Sequence, residues 1–226
     1  SALEQNEIFP NRVVGVSAGA LTGGLWASGV HSQKIKDTLL TLKREEFWDP
    51  GVPIGGILKG KKFANKLNEI LEEEGVSRFE HCPIAFTAVV FDLLSRQTAR
   101  ISYGRLEPAI RASCALPVLF RPVRVGYRFY LDGGVQDRPG FSALGSDERT
   151  LFHHLPHSSF WSGIHGDEAE VLKPSTSRNI FQIHDLPQVN PFQLERGCQA
   201  MELAEKCTLR WLKEPCAQES LSLNQL

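Results

Sequence analysis

Apolar and polar positions along the chain fall into two rhythms. Short, nearly unbroken apolar runs at residues 12–16 (RVVGV) and 83–91 (PIAFTAVVF) predict strands buried on both faces. RQTARIS, after the second run, alternates like its hairpin partner. VRVGYRFYLDGG predicts two strands around Gly126, ending at Asp132, and residues 150–155 and NIFQIHD predict two more. The helical rhythm appears at Phe63, Leu67, Ile70 and Leu71, which place one stripe on a helix over 61–74. Ala200, Leu203, Ala204, Cys207 and Trp211 do the same for a helix over about 192–213, with Cys198 and Cys207 on opposite sides.

Punctuation adds the shorter elements. ALEQN reads as the last turn of a helix. Residues 18–28 (AGALTGGLWAS) predict a helix stopped by Gly29. Gly19, Gly23 and Gly24 each cost that helix ~1 kcal/mol against alanine, so close packing on a sheet is expected there. Ser32 is the expected cap of a helix to residue 43, and Pro108 starts a short helix over 107–113. WDPGVPIGG and most of residues 139–177 read as loop. Strands alternating with helices, without a repeat or a convincing linker, predict one α/β layered domain over 1–226.

Composition narrows the function classes. With 25 Lys and Arg against 26 Asp and Glu, the net charge of −1 gives no electrostatic reason to expect nucleic acid. The five cysteines, an odd number without C-x-x-C spacing, argue for free thiols rather than a disulfide framework or a zinc site. No apolar run approaches the ~20 residues that span a bilayer, and no signal segment opens the chain. The expected location is intracellular, cytoplasmic or peripheral to membranes. The chain opens Ser1-Ala2-Leu3 and its single methionine is Met201, so the expected N-terminus is a processed or cut end.

The chemistry centres on one serine. Gly15-Val16-Ser17-Ala18-Gly19 fits G-x-S-x-G between a predicted strand and a predicted helix, the setting of a nucleophile elbow. Such a serine sits at the positive end of the helix, where the Ala18 N–H can meet a developing oxyanion. The bland alternative is a structural turn. For a partner, Asp132 ends a strand ahead of Gly133 and Gly134, which let another backbone come close. An aspartate before two glycines is also an ordinary turn former. Of the seven histidines, His184, next to Asp185 at a strand end, is the candidate for a Ser–Asp–His triad. Lys59, Lys61, Lys62 and Lys66 beside Ile57, Leu58 and Phe63 form a candidate contact for anionic headgroups, or simply a solvated helix face.

These residues reach a family. GVSAGALTGGLWASG, IRASCALPVLFRPVRVGYRFYLDGGVQDRP, GILKGKKFANKL and PIAFTAVVFDLLSRQTARIS resemble, in order, segments of the patatin-like phospholipases. The resemblance is close over roughly residues 3–139. It implies a patatin-like layered fold with a central, mostly parallel sheet flanked by helices. It also implies a serine acyl hydrolase acting on lipid esters through a Ser–Asp dyad, Ser17 as nucleophile and Asp132 as base, with no metal or other cofactor. Two departures stand out. The family usually has asparagine before the proline that follows the Asp-Gly-Gly turn, where this chain reads Asp137-Arg138-Pro139. The family also opens with a strand and a glycine-rich oxyanion loop ahead of the elbow. Only sixteen residues precede Ser17, so an N-terminally truncated copy with weak or no activity is expected. A non-catalytic lipid-binding or regulatory protein is the alternative.

Overall fold

A computed structural model describes residues 1–145, 148–154, 178–183, 186–187, 189, 196–213 and 218–221. They form two compact units, Pro10–Leu144 and, separately, Ser1–Phe9 with Gly145–Leu226.

The first unit is a mixed sheet flanked by helices. It runs β1 (Arg12–Val16), α2 (Ala18–Ala27), α3 (Ser32–Thr41), α4 (Arg44–Phe47), α5 (Lys61–Glu73), β2 (Ala85–Asp92), β3 (Gln97–Ile101), α6 (Leu106–Ser113), β4 (Val123–Val125) and β5 (Arg128–Asp132); α1 (Ala2–Gln5) belongs to the other unit. β1 and β2 are parallel, while β3 and β5 pair β2 antiparallel and β4 closes a hairpin on β5. β2 is the unbroken apolar run of the sequence. Phe86, Ala88, Val89 and Val90 are buried, as expected for a strand covered on both faces.

The glycines of α2 differ in their reasons. A Cβ on Gly23 would stand 2.8 Å from Val13 Cγ1 on β1, and one on Gly24 would stand 2.7 Å from Ile110 Cδ1 on α6. Both mark close packing, which offsets their low helix propensity. Gly19 faces open space; packing does not require it. Gly15 is the tightest of the four: its Cβ would lie 2.5 Å from Ala20 Cα and 2.6 Å from the Gly19 carbonyl oxygen. The chain turns back on itself too closely there for any side chain.

Helix α5 lays Leu67, Ile70 and Leu71 into the core, as its stripe predicts. Helix α3 is capped one residue earlier than expected. Ser32 is its first helical residue, and the His31 ring nitrogen Nδ1 accepts the Gln33 N–H at 3.3 Å. A histidine can do the work of a serine here because its neutral ring carries one acceptor nitrogen.

In the second unit, β6 (Thr150–His154), β7 (Arg178–Ile183) and β8 (Gln218–Leu221) form a parallel sheet in the order β6-β7-β8. Helix α7 (Gly197–Lys213) buries Cys207 and Trp211 with Phe181 and Ile183, and the Phe181 and Trp211 rings sit 5.2 Å apart. Cys198, on the other side of α7, is exposed, and the four described cysteines are free thiols.

Gly15→Ala is expected to destabilise the protein by about 3 kcal/mol, since the added methyl meets backbone that cannot rotate away. Gly19→Ala is expected to leave the thermal midpoint nearly unchanged. Thermal denaturation of both variants checks the contrast.

Candidate active site

The site follows from how β2 shares its edges. β3 occupies one edge of β2 over Ala88 to Asp92. The other edge is divided: β1 takes it over Ala85 to Val89, and β5 takes it over Val90 to Asp92. β1 runs parallel to β2 and β5 runs antiparallel, so their C-terminal ends meet. Val16 lies opposite Val89, and Asp132 lies opposite Val90. Neighbouring positions on a strand are ~3.3 Å apart. Ser17, the residue after Val16, is thereby delivered beside Asp132.

Ser17 has φ 52° and ψ −123°. A non-glycine residue in that region carries strain of order 1–3 kcal/mol and persists only where its surroundings fix it. They do so on both sides of the residue. The Ser17 N–H donates to Ser113 Oγ at 3.0 Å, and the Ser113 hydroxyl donates to the Val89 carbonyl at 2.7 Å. The Cys114 thiol donates to the Ser17 carbonyl at 3.1 Å, where Ala20 and Leu21 N–H also arrive. The next residue, Ala115, accepts the Asp132 N–H at 3.0 Å. Three consecutive residues at the end of α6 thus hold the backbones of both candidate groups. The sequence contains this signal as Ser-Cys-Ala after a helix, but nothing in those letters alone announces a clamp.

The Asp132 side chain is 2% exposed. Its Oδ1 accepts the Gly134 N–H at 2.8 Å, while its buried Oδ2 accepts no hydrogen bond among the described residues. Burial pushes the carboxyl up to about 6, against the opposing pull of the Ser17 hydroxyl and the Gly134 N–H. The hydroxyl therefore stands near the acid without closing a hydrogen bond onto Oδ2. Asp92, at the other end of the same strand pairing, is equally buried and shifts the opposite way. Burial raises it too, but Arg128 and the N–H groups of Leu94 and Ser95 outweigh that and hold it low. A buried carboxylate with a cation is a structural pair; one left short of partners is poised to take a proton.

The glycines after Asp132 have separate uses. A Cβ on Gly133 would lie 2.4 Å from the Val89 carbonyl oxygen, so only glycine fits where β5 leaves the sheet. Gly134 supplies the N–H that orients the acid. Asp137, the departure from the family pattern, accepts Phe141 N–H at 3.1 Å and Ser142 N–H at 2.9 Å. It ties down the turn after the Asp-Gly-Gly segment.

Ala18 and Gly19 open α2 immediately after Ser17 and are exposed. First-turn N–H groups of a helix lack intrahelical acceptors and carry the positive end of its dipole, so an anion forming at Ser17 meets them. No histidine is among the partners of the Asp132 carboxyl within the described residues. His31 sits at the start of α3 and His81 in an exposed turn; His184 and Asp185 lie outside the described residues. Among the described residues no group of three or more His, Cys, Asp or Glu side chains could hold a metal ion.

The raised Asp132 carboxyl makes a stability prediction. The folded state holds its proton to higher pH than the unfolded chain, so this group's contribution falls as pH rises from about 4 to 6. Asp132→Asn removes that penalty and is expected to keep or raise the thermal midpoint at pH 7.5, with the gain vanishing near pH 4. Ser113→Ala leaves the Ser17 N–H and the Val89 carbonyl without their partner and is expected to cost about 2–3 kcal/mol. Denaturant titrations at pH 7.5 check both, with a lowered midpoint expected for Ser113→Ala and none for Asp132→Asn.

Comparison with known proteins gives a coherent answer. A family model described as "Patatin-like phospholipase" matches residues 1–144, which contain the whole elbow, the clamp and the Asp132 turn. Proteins described as uncharacterized NTE family proteins of Mycobacterium bovis and Mycobacterium tuberculosis are 35% identical over 132 residues, 55% of this chain. The match covers 34% of their length, so the chain spans about a third of these relatives. The chain belongs to the patatin-like phospholipase family.

Proposed function

We infer that the protein is a lipid acyl hydrolase in which Ser17 is the nucleophile and Asp132 its general base. The family supports lipid hydrolysis in general. The dyad rests on one observation: a buried carboxyl with an oxygen unpartnered among the described residues and a pKa pushed up to about 6, beside a hydroxyl on a strained strand-to-helix turn.

Ser17 Oγ attacks the ester carbonyl while Asp132 Oδ2 takes its proton. The carbonyl oxygen becomes an oxyanion facing the Ala18 and Gly19 N–H groups at the start of α2. Collapse of the tetrahedral intermediate breaks the ester bond, and the proton on Asp132 passes to the departing alcohol. The acyl group is left on Ser17. Water, losing its proton to the same carboxylate, then attacks the acyl-enzyme and releases the fatty acid, and Ser17 recovers its proton. An ordinary aspartate is too weak a base for this near neutral pH. Burial that lifts the carboxyl toward 6 brings its basicity closer to the task.

A non-catalytic lipid-binding protein would have no use for an acid kept in this state. Labelling with a fluorophosphonate probe separates the two readings, because only an activated serine reacts.

Hydrolysis of a fluorogenic acyl ester is expected to rise with pH through a single limb near 6, as Asp132 loses its proton, and then to level off. Ser17→Ala and Asp132→Asn are each expected to lower turnover by at least about 10³-fold. Variants that stay folded and retain turnover would remove the dyad from the mechanism.

A further inference from the structure

Two loops beside the elbow carry an exposed apolar surface that the fold itself does not use. On the loop before α5, Val52 is 67% exposed, Ile54 74% and Ile57 43%. On the loop after α6, Val118 is 66% exposed. These are four large apolar side chains on two segments joined to each other. The Ile57 N–H donates to the Val118 carbonyl at 3.1 Å and the Leu58 N–H to the Leu119 carbonyl at 2.8 Å. The Arg121 N–H returns to the Leu58 carbonyl at 3.1 Å, and its guanidinium holds the Val52 carbonyl. Gly56 lies so close under Phe120 that a Cβ would stand 2.3 Å from its carbonyl carbon. The surface is a tied platform and not a loose loop.

Val118 is also strained. Its φ of 67° is a genuine outlier for a β-branched residue. A glycine or asparagine would hold this turn at lower cost, and the isopropyl group makes no use of burial. Strain of this kind, kept in an exposed apolar side chain, points to something outside the chain.

The position and the charge say what. Cys114, whose thiol is 3.1 Å from the Ser17 carbonyl, is four residues before Val118. Four residues of extended chain reach at most ~15 Å, so Val118, the platform residue on this segment, stands within about that distance of Cys114, which touches the elbow. Lys59, Lys61 and Lys62 follow directly on the platform and are exposed. Asp49, the acid nearest to them in hydrogen-bond terms, spends its carboxylate on the N–H groups of Gly60, Lys61 and Lys62. Lys62 also donates to the Glu45 carbonyl, and Lys66, paired with Glu69, is not part of the rim. The whole chain has a net charge of −1, so this basic rim is a local feature.

We propose that Val52, Ile54, Ile57 and Val118, rimmed by Lys59, Lys61 and Lys62, form an interfacial docking surface that seats the protein on an anionic phospholipid bilayer beside the Ser17 elbow. The apolar side chains enter the boundary between headgroups and acyl chains, and the lysines meet the anionic headgroups. The proposal rests on the lipid-hydrolase reading for its purpose, but its binding does not require catalysis.

The test uses the full chain and vesicles of phosphatidylcholine alone or mixed with phosphatidylserine, read by co-sedimentation. The wild type is expected to bind the mixed vesicles. The Val52→Ser/Ile54→Ser/Ile57→Ser variant should bind them at least about tenfold less. Val118→Asn, tolerated at positive φ, should weaken binding in the same direction. Lys59→Gln/Lys61→Gln/Lys62→Gln should lose about fivefold per lysine on mixed vesicles and nothing on phosphatidylcholine alone. Each variant should hydrolyse a water-soluble short-chain ester as the wild type does, while losing hydrolysis of vesicle phospholipid. Ser17→Ala should bind vesicles normally. Binding that is absent in the wild type, or indifferent to these substitutions, overturns the proposal. So does sedimentation velocity showing a wild-type dimer that the triple serine variant dissolves, since the surface would then join two copies. If no ester is hydrolysed yet binding follows the platform, the hydrolase reading fails and the docking surface stands.

Discussion

The rest of the structure depends on the division of one edge of β2. A strand edge can satisfy one neighbour at each position. Here β1 stops at Val89 and β5 stops at Val90, approaching from opposite directions. Two strand ends must therefore leave the sheet at one point. The first leaves through the elbow at Ser17, and the second leaves through the Asp-Gly-Gly turn. The Val89 carbonyl lies at this junction, taken by the Ser113 hydroxyl and approached closely by Gly133. Strain at Ser17, burial of Asp132 and the need for glycine at 133 are three results of the same crowding.

The clamp at the end of α6 turns that crowding into a fixed geometry. Ser113 and Cys114 hold the two backbone groups of Ser17, and Ala115 holds the backbone of Asp132. The side chains that do the proposed chemistry are then positioned by their own main chain. Among the described residues this leaves Asp132 Oδ2 without a competing donor. Asp92, at the other end of the β2–β5 pairing, shows the alternative outcome, where a guanidinium and two N–H groups make the carboxylate a stable ion and nothing more.

Much of this was legible in the sequence. The apolar runs of β1 and β2, the stripe of α5 and the turn around Gly126 are local patterns, and they appear where periodicity places them. The elbow and the Asp-Gly-Gly turn were legible because each needs glycine for a steric reason that survives in the letters. Four things were not. Whether Asp132 reaches Ser17 depends on register along β2, which no local pattern encodes. The roles of Ser113 and Cys114 depend on where α6 ends relative to that junction. His31 takes the cap expected of Ser32 because the choice between adjacent polar residues is settled by backbone geometry alone. The separation of 1–9 and 145–226 from the rest as a second compact unit also has no signal in composition.

The abutting strand ends also act as a gauge on chain length. Adding one residue to β1 or β5 would drive one end into the other, and a one-step slip of either would turn its side chains to the opposite face. The surface loops in the stretch between them, which holds all five helices α2–α6 of the first unit, feel no such limit. Insertions there would lengthen the interval between the serine and the aspartate without moving either. The number of residues separating the two is thus free to drift, whereas the lengths of two short strands are not.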